Sequence, residues 1–410
     1  MLDRLHMFIP FKVSAVTNVQ QSQSDRSLWE VDLRTLGIPL AGVVTHEDGA
    51  VHVEELRHPW ESLASSFTPL AFKVFHREFS KRLMPGVEIK ASPAKLLQGH
   101  NVFGPTSIRK GAEVMLLWLQ LGYPKLFDLL DIPATEVYSF DATYSARLPD
   151  EKTSLQVIQF LSGVTNGQTK NRGDNYQTTC YWGAKDSRIK RLKCYLKHIE
   201  FDLQREEMRR QMKYNLSASR TYRAMSDPRL LDWVNYLLRF EATVMRRWME
   251  RRQIPTRLID LMAYQEQLAG QGRCFIQECW QETTKDIFAA LEGMTMRLVD
   301  DEKVLAALIA KHTRITKSGK KSDSYARNLF RTYRSLKEFG WEETLSSMSR
   351  PSFYRHISDI QQCGLSKAAL QKLQQNDRTN NVVPLLRFVQ VDFTSQRPDW
   401  YVEPSVEFAA

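Results

Sequence analysis

Residues 191–200, with the sequence RLKCYLKHIE, place one tyrosine among several cationic side chains. In a β-strand, alternate side chains project to one face, which here would carry Arg191, Lys193, Tyr195 and Lys197. A phenol has a pKa of about 10 and is a weak nucleophile, but neighbouring cations lower that pKa and neutralise charge in a phosphodiester transition state. Tyr195 is therefore a candidate nucleophile. A tyrosine on a basic strand, however, is usually just a packed or DNA-facing aromatic side chain.

Three carboxylates on other candidate strands could bind a metal ion. They are Asp141 in segment 137–147, Glu241 in segment 238–245 and Glu88 in segment 87–91. Carboxylate oxygens are the ligands that Mg²⁺ prefers, and they also suit Mn²⁺, so the three acids could converge on one hard cation. They could also be ordinary solvent-facing residues of a sheet. Arg239 shares the face of Glu241 and, with Arg191 and Lys193, is a candidate DNA contact.

Several motifs of other enzyme classes are absent from the sequence. There is no glycine-rich phosphate loop, no dinucleotide-binding GxGxxG after a strand and no GxSxG. No two histidines flank a single hydrophobic residue, a pairing that is the usual metal motif of tyrosine nicking enzymes. The five cysteines form no CxxC pair, which predicts reduced thiols and no structural zinc. The longest apolar stretch, residues 114–121, is too short to span a membrane.

Positive charge is concentrated in two zones of the chain. Residues 185–223 carry 12 Lys or Arg against 5 Asp or Glu, and residues 311–337 carry 9 against 1. Because the whole chain has a net charge of +10, the remainder is about −5. This is typical of a protein that binds a polyanion, although two solvated helix faces would look similar. In the second zone, helical spacing aligns arginines beside Tyr333, and the candidate DNA contacts are Lys320, Lys321, Arg327, Arg331 and Arg334.

The hydrophobic patterns predict an α+β fold. Predicted strands cover 42–46, 51–56, 87–91, 137–147 and 238–245, with a hairpin over 181–199, a loop over 166–176 and predicted helices at 110–121, 126–130, 154–162 and 201–214. A further helix should open at Ser226-Asp227-Pro228. From residue 255 the pattern is helical until a possible strand at 382–393. We therefore predict a mostly antiparallel sheet with flanking helices over 1–258, and a mainly helical, basic domain over 259–410.

Long motifs in the chain resemble those of the gene II replication-initiator family of filamentous bacteriophages. They are EIKASPAKLLQGHNVFG at 88–104, DAT at 141–143, NGQTK at 166–170, YLKHIE at 195–200, RFEA at 239–242, NNVVPL at 380–385 and SQRPDWY at 395–401. The resemblance spans nearly the whole chain and is weakest in the first 40 residues and at 207–226. Motifs of this length are very specific. The pattern Asp…Tyr-x-Lys…Arg-x-Glu also resembles the wider group of rolling-circle initiators of plasmids.

This resemblance implies a site- and strand-specific DNA endonuclease and joining enzyme. Such a protein nicks the plus strand of the supercoiled origin, stays on the 5′ end through a phosphotyrosine, and later cleaves and circularises the displaced single strand. The family's nucleophile corresponds to Tyr195, and Lys197 would assist the leaving 3′ oxygen. The expected cofactor is Mg²⁺ or Mn²⁺.

The same resemblance implies a setting for the protein. The expected location is the cytoplasm of the infected bacterium, with no membrane association. Expected partners are a host helicase and polymerase, together with self-association on DNA. The family also makes a separate C-terminal protein from an internal start, which would fall at Met296.

Two alternatives remain open from the residues. A non-catalytic origin-binding or regulatory protein would share the basic zones but would not need Tyr195 beside Lys197. A metal-dependent hydrolytic nuclease would need the carboxylates but would form no covalent intermediate.

Overall fold

A computed structural model describes residues 1–20, 27–47, 50–77, 84–162, 178–184, 186–299, 301–315, 321–363, 365, 367–371, 373 and 389–406. Across these residues the chain is an α+β protein, as predicted, with one large antiparallel sheet flanked by helices. The predicted loop at 166–176, residues 48–49 between the predicted strands 42–46 and 51–56, Lys320 and most of the predicted strand at 382–393 lie outside them.

The described strands form an eight-stranded sheet and three two-stranded ribbons. In chain order they are β1 Leu2–Pro10, β2 Thr17–Gln20, β3 Ser27–Glu30, β4 Ala41–Glu47, β5 Ala50–Arg57, β6 Glu61–Leu63, β7 Leu70–Phe75, β8 Gly86–Ala91, β9 Glu136–Arg147, β10 Thr179–Trp182, β11 Lys190–Leu196, β12 Leu237–Met245, β13 Arg314–Ile315 and β14 Lys321–Ser322. The sheet runs in the order β10-β11-β12-β9-β1-β8-β7-β6, with antiparallel neighbours throughout. The ribbons are β2-β3, β4-β5 and β13-β14.

Helices flank the sheet and make up most of the C-terminal third. They are α1 Pro93–Gln98, α2 Ile108–Gly122, α3 Pro124–Asp128, α4 Glu151–Leu161, α5 Lys197–Gln211, α6 Leu216–Met225, α7 Pro228–Val234, α8 Arg246–Glu250, α9 Leu258–Gly270, α10 Phe275–Val299, α11 Asp301–His312, α12 Ser324–Phe339, α13 Trp341–Ser346, α14 Arg350–Gln361 and α15 Lys367–Gln371. Three single turns of 3-10 helix occur at Val13–Ala15, Leu33–Thr35 and Ile132–Ala134. The opening of α7 is as predicted, because Asp227 accepts a hydrogen bond from the Arg229 backbone ahead of a proline at the first helical position.

Strict alternation in the central strands separates an apolar face of the sheet from a polar one. On β9 and β12, the side chains of Phe140, Tyr144 and Phe240 belong to the main hydrophobic core. Helix α10 packs on this face, and the Trp280 indole donates a hydrogen bond of 3.1 Å to the Phe240 carbonyl. The opposite face is thereby left to polar side chains.

Two parts of the sequence prediction need correction. The second strand of the hairpin over 181–199 ends at Leu196, and Lys197 is the first residue of α5. Residues 389–393 form no strand. Segment 389–406 instead runs back to the sheet domain, where Val389, Val391 and Phe393 join its core.

The hydrophobic cores show how the chain is organised. The main core extends through α9 and into α10 as far as Leu291, so the predicted division at residue 258 falls within it. A second core, which includes Leu308, Tyr333 and Phe353, is formed by residues 304–373. Within the described residues, no helix has the length and apolar character that crossing a membrane requires.

Candidate active site

The polar face of the sheet gathers side chains from five adjacent strands. Strand register pairs Tyr195 with Arg239, Lys193 with Glu241, and Asp141 with Thr243. Pairing also places Thr143 opposite Glu241, and His6 opposite Lys90 across β1 and β8. Sequence alternation predicted a polar face for each strand separately. In the sheet these faces adjoin and form one continuous surface.

Tyr195 belongs to this surface and lies on β11, at one edge of the five strands. Its side chain is only 4% exposed, and its hydroxyl donates a hydrogen bond of 3.4 Å to Oε2 of Glu241. The Lys193 ammonium lies 4.1 Å from the centre of the phenol ring. Burial raises the pKa of Tyr195 well above its ordinary value of 10. Arg239 acts to lower this pKa, and the negative charge of Glu241 acts to raise it. The expectation that cations lower this pKa is therefore wrong, because burial outweighs them.

Glu241 and Asp141 form a carboxylate pair on neighbouring strands. Burial, followed by the negative charge of Asp141, raises the pKa of Glu241 to about 7, although Lys193 opposes the shift. The Lys193 ammonium lies 4.0 Å from Glu241, and Arg4 donates a hydrogen bond of 3.0 Å to Asp141. Glu241 is thus a carboxylate that can accept a proton near neutral pH, next to the phenol of Tyr195.

Irregular pairing in β1 brings two further charged residues to the polar face. Between Leu2 and Leu5 the register with β9 shifts, so that three steps along β1 match two along β9. Such a bulge re-aims side chains, and both Asp3 and Arg4 contact polar-face residues here. Sequence reasoning missed them because it predicted no strand over residues 2–10, where the bulge interrupts the two-residue period.

A buried polar network lies beside Tyr195 and contains Lys197. The Lys197 side chain is 0% exposed and donates hydrogen bonds to Asn101 (2.8 Å) and Glu200 (2.5 Å). Asn101 in turn donates to Asp3 at 2.8 Å. Burial lowers the pKa of Lys197 to about 8, while Glu200 acts in the opposite direction. Lys197 therefore does not extend the row of cations on the strand, because the chain turns into α5 at this residue.

Arg239 is also buried and is not a surface contact for DNA. Its side chain is 1% exposed and donates hydrogen bonds to the carbonyls of Asn101 (2.5 Å) and Val102. Asp3 lies 3.9 Å from the guanidinium. The prediction that Arg239 contacts DNA is therefore wrong, because its guanidinium instead joins β12 to the segment after α1 by hydrogen bonds. Arg191 and Lys193 are partly exposed on β11, as a DNA contact requires.

The three predicted metal ligands do not converge on one point. Glu88 lies opposite Phe8 on β1 and contacts His6 at 3.2 Å, whereas Asp141 contacts Arg4. Phe8 and Arg4 are four residues apart, roughly 13 Å along the strand. Within the described part of the chain, no three His, Cys, Asp or Glu side chains are grouped closely enough to hold a metal ion.

Asp141 and Glu241 by themselves fit a Mg²⁺ ion. This ion is commonly held by one or two carboxylates, and water and substrate phosphate complete its shell. Burial, followed by the charge of Asp141, raises the pKa of Glu241, and a cation held between the two carboxylates would offset both effects. The Thr143 hydroxyl next to them is buried and has no hydrogen-bond partner among the described residues. Oxygen donors of this kind suit Mn²⁺ as well.

The second basic zone forms an exposed helix face. Arg327, Arg331 and Arg334 are exposed on α12, and Lys321 is exposed on β14. Arg327 also pairs with Asp323 at 2.9 Å. Tyr333, which was expected to lie beside these arginines, is fully buried in the second core.

Comparisons with known proteins agree with this architecture. Residues 1–270 match the family described as the N-terminal part of a phage replication-associated protein, and residues 315–407 match the family described as its C-terminal part. The chain is 40% identical over 418 residues to the replication-associated proteins of Enterobacteria phages M13 and f1, with 100% of each chain covered. It is 39% identical to that of Salmonella phage IKe, which covers 98% of this chain and 96% of the relative. No solved structure shows significant similarity. The chain therefore belongs to this family of filamentous-phage replication-associated proteins.

Proposed function

We propose that this phage replication protein nicks the plus strand of its origin DNA through Tyr195 and later rejoins the displaced strand. The observation that carries the proposal is the hydrogen bond from the Tyr195 hydroxyl to Glu241. A nucleophile with a raised pKa needs an adjacent base, and Glu241 has a pKa of about 7. Glu241 thus supplies the proton acceptor that an isolated tyrosine lacks.

In the cleavage step, the Tyr195 oxygen attacks the scissile phosphorus while its proton passes to Glu241. A bond forms between the phenol oxygen and phosphorus, and the bond from phosphorus to the 3′ oxygen breaks. The 3′ oxygen takes a proton from solvent, and Glu241 later returns its proton to solvent. The phosphotyrosine is itself a phosphodiester, so attack by a 3′-hydroxyl can reverse the step. Joining therefore needs no nucleotide hydrolysis, in agreement with the missing phosphate loop.

Cationic side chains on the same face would hold the negatively charged phosphate. Lys193 is partly exposed and covers the Tyr195 ring, so an incoming phosphate would draw its ammonium away and leave the phenol oxygen free to attack the phosphorus. Arg4, bound to Asp141, borders the same place. A Mg²⁺ or Mn²⁺ ion held by Asp141 and Glu241 would supply polarisation of a non-bridging phosphate oxygen.

Lys197 has a positioning role in this proposal. Its hydrogen bonds to Asn101 and Glu200 fix the start of α5, two residues after Tyr195. The network therefore sets where β11 ends and how the phenol is directed. The remaining expectations are proposals of the same kind: action in the host cytoplasm, recruitment of a host helicase and polymerase, and self-association on DNA.

Covalent capture tests the proposal. The chain is incubated with Mg²⁺ and labelled supercoiled origin DNA or a single-stranded origin fragment, and is then separated in SDS. The wild type and Tyr181→Phe, which alters a tyrosine facing the same side on β10, should give a labelled protein band. Tyr195→Phe should bind DNA and give none. A labelled band from Tyr195→Phe would refute Tyr195 as nucleophile. Cleavage without any band from the wild type would favour a hydrolytic nuclease, and binding without cleavage a regulatory protein.

A further inference from the structure

A cavity of about 220 Å³ lies between the sheet and the returning segment 389–406. The polar side chains around it are Thr143, Ser145, Arg239, Thr394, Gln396 and Arg397. A water needs about 10–15 Å³ of space of this kind, so the cavity could hold well over ten water molecules. It is large enough for a phosphate group with its sugar.

One buried polar atom beside this cavity has no partner. The Thr143 hydroxyl has no hydrogen-bond partner among the described residues, and Thr143 lines the cavity. Buried polar groups are nearly always satisfied, and an exception indicates a missing ligand or water. A hydroxyl can donate a hydrogen bond, so a ligand that offers an acceptor oxygen would satisfy it.

The outer wall of the cavity is firmly attached to the sheet. The Gln396 amide accepts a hydrogen bond from the Ser145 backbone nitrogen (2.8 Å) and donates one to its carbonyl oxygen (2.9 Å). Lys110 pairs with Glu403 at 2.7 Å further along the segment. Arg397 stands at the rim, partly exposed, with Glu403 at 3.6 Å. The guanidinium of Arg397 is thus fixed near the cavity by its own segment.

The cavity adjoins the proposed nucleophile. Tyr195 pairs with Arg239, and Arg239 pairs with Ser145, on three successive strands. Two strand spacings of about 4.8 Å put Ser145 roughly 10 Å from Tyr195. That distance suits a neighbouring nucleotide of a strand whose scissile phosphate lies at Tyr195.

We propose that this cavity binds one backbone phosphate of single-stranded DNA, with part of its sugar, next to the scissile position. Guanidinium groups and hydroxyls are the usual donors to a phosphate, and Arg397 and Thr143 offer one of each. A duplex is too wide to enter, so the site selects an unpaired strand. The inference rests on the proposed function and adds that segment 389–406, although distant in sequence, completes the substrate site of the sheet domain.

Single neutral linkages in the substrate test this site. In a Tyr195→Phe background, which prevents turnover, affinity is measured for single-stranded plus-strand origin oligonucleotides that carry one methylphosphonate at successive positions. We expect one position beside the scissile phosphate to weaken binding by about tenfold or more, as for the loss of a charged hydrogen bond. In Arg397→Gln, the binding penalty of the methylphosphonate at that one position should disappear, while the penalties at other positions remain. The control is Arg109→Gln, which removes an equal charge from an exposed residue paired with Glu266 and should leave the penalty at that position unchanged.

A second variant separates binding from folding. Thr143→Val replaces an unsatisfied buried hydroxyl by a methyl group, so it should raise the melting temperature of the DNA-free protein and weaken the oligonucleotide's binding. Loss of stability in Thr143→Val, or an identical penalty profile in Arg397→Gln and the control, would overturn the proposal. These are equilibrium measurements that do not depend on covalent chemistry. An adduct formed by Tyr195→Phe would contradict the proposed function and leave the binding result to stand by itself.

Discussion

The phenol oxygen of Tyr195 lies 3.4 Å from Oε2 of Glu241, on adjacent antiparallel strands of one sheet face. The pKa values of both groups are raised by burial, that of Glu241 to about 7. Tyr195 therefore keeps its proton at neutral pH, and Glu241 is the nearest group able to take it. This relationship connects the fold to a specific pH dependence.

The rate of nicking should rise with pH and level off no higher than about pH 7. Glu241 must be ionised to accept the Tyr195 proton; its pKa is about 7 without metal, and a Mg²⁺ ion held by the carboxylate pair would lower it. Single-turnover rates between pH 5.5 and 9 would show this for the wild type. Glu241→Gln should be slower by about 10²–10⁴, the usual contribution of a general base, and should lack the inflection. An unchanged profile in this variant would remove Glu241 as the base.

Glu241→Gln should also stabilise the protein at alkaline pH. The pKa of this acid is higher in the folded chain than its ordinary value of 4.5, so the folded state binds more protons between about pH 4.5 and 7. Wild-type stability therefore falls across that range, by at most about 3 kcal/mol for a shift of this size. Urea unfolding without Mg²⁺ should show the variant to be more stable at pH 8 and similar at pH 4. Equal effects at both pH values would contradict the assignment.

Mg²⁺ should raise the melting temperature of the wild type in the absence of DNA, since a ligand of the folded state stabilises it. Asp141→Asn and Glu241→Gln should each lose this increase and most nicking, while they still bind the origin. Glu88→Gln is the matched control, because Glu88 contacts His6 well away from the carboxylate pair. If Glu88→Gln alone abolished the Mg²⁺ effect, the metal site would lie at β8 instead.

Lys197→Ala should destabilise the chain and slow the formation of the covalent adduct without abolishing it. Removing a fully buried cation leaves Asp3 and Glu200 without its charge. Breaking a buried ion pair costs about 3–5 kcal/mol, and the lower end applies because Glu200 is partly exposed. Chemical denaturation and SDS capture would measure the two effects. Unaltered stability together with complete loss of the adduct would make Lys197 a catalytic residue rather than a positioning one.

Replacement of Arg327, Arg331 and Arg334 by glutamine should weaken DNA binding and its dependence on salt. Each lost phosphate contact should lower the slope of log K against log salt by about 0.9 on duplex DNA. Arg34→Gln, an exposed arginine of the sheet domain paired with Asp32, is a control. A slope unchanged in the triple variant would mean that this face of α12 meets solvent or protein instead.

Sequence periodicity by itself determined much of the polar face of the sheet. Alternation in segments 137–147 and 238–245 assigned Asp141 and Glu241 to polar strand faces, and both strands are present. The helical spacing of the arginines on α12 was likewise local information, and these side chains are exposed. Such features depend on residues two to four apart, so a pattern along the chain is enough to predict them.

Tertiary structure decided the environment of these residues. Arg239 and Lys197 look like surface cations in the sequence, but both are buried because segment 101–102 and Glu200 satisfy them. The bulge in β1 adds Asp3 and Arg4 to the site, and segment 389–406 closes the cavity beside it. Burial and charge neighbours arise where segments 46 to 138 residues apart in the chain pack together. The pKa values of Tyr195 and Glu241, and hence the direction of proton transfer, follow from that packing and from no local pattern.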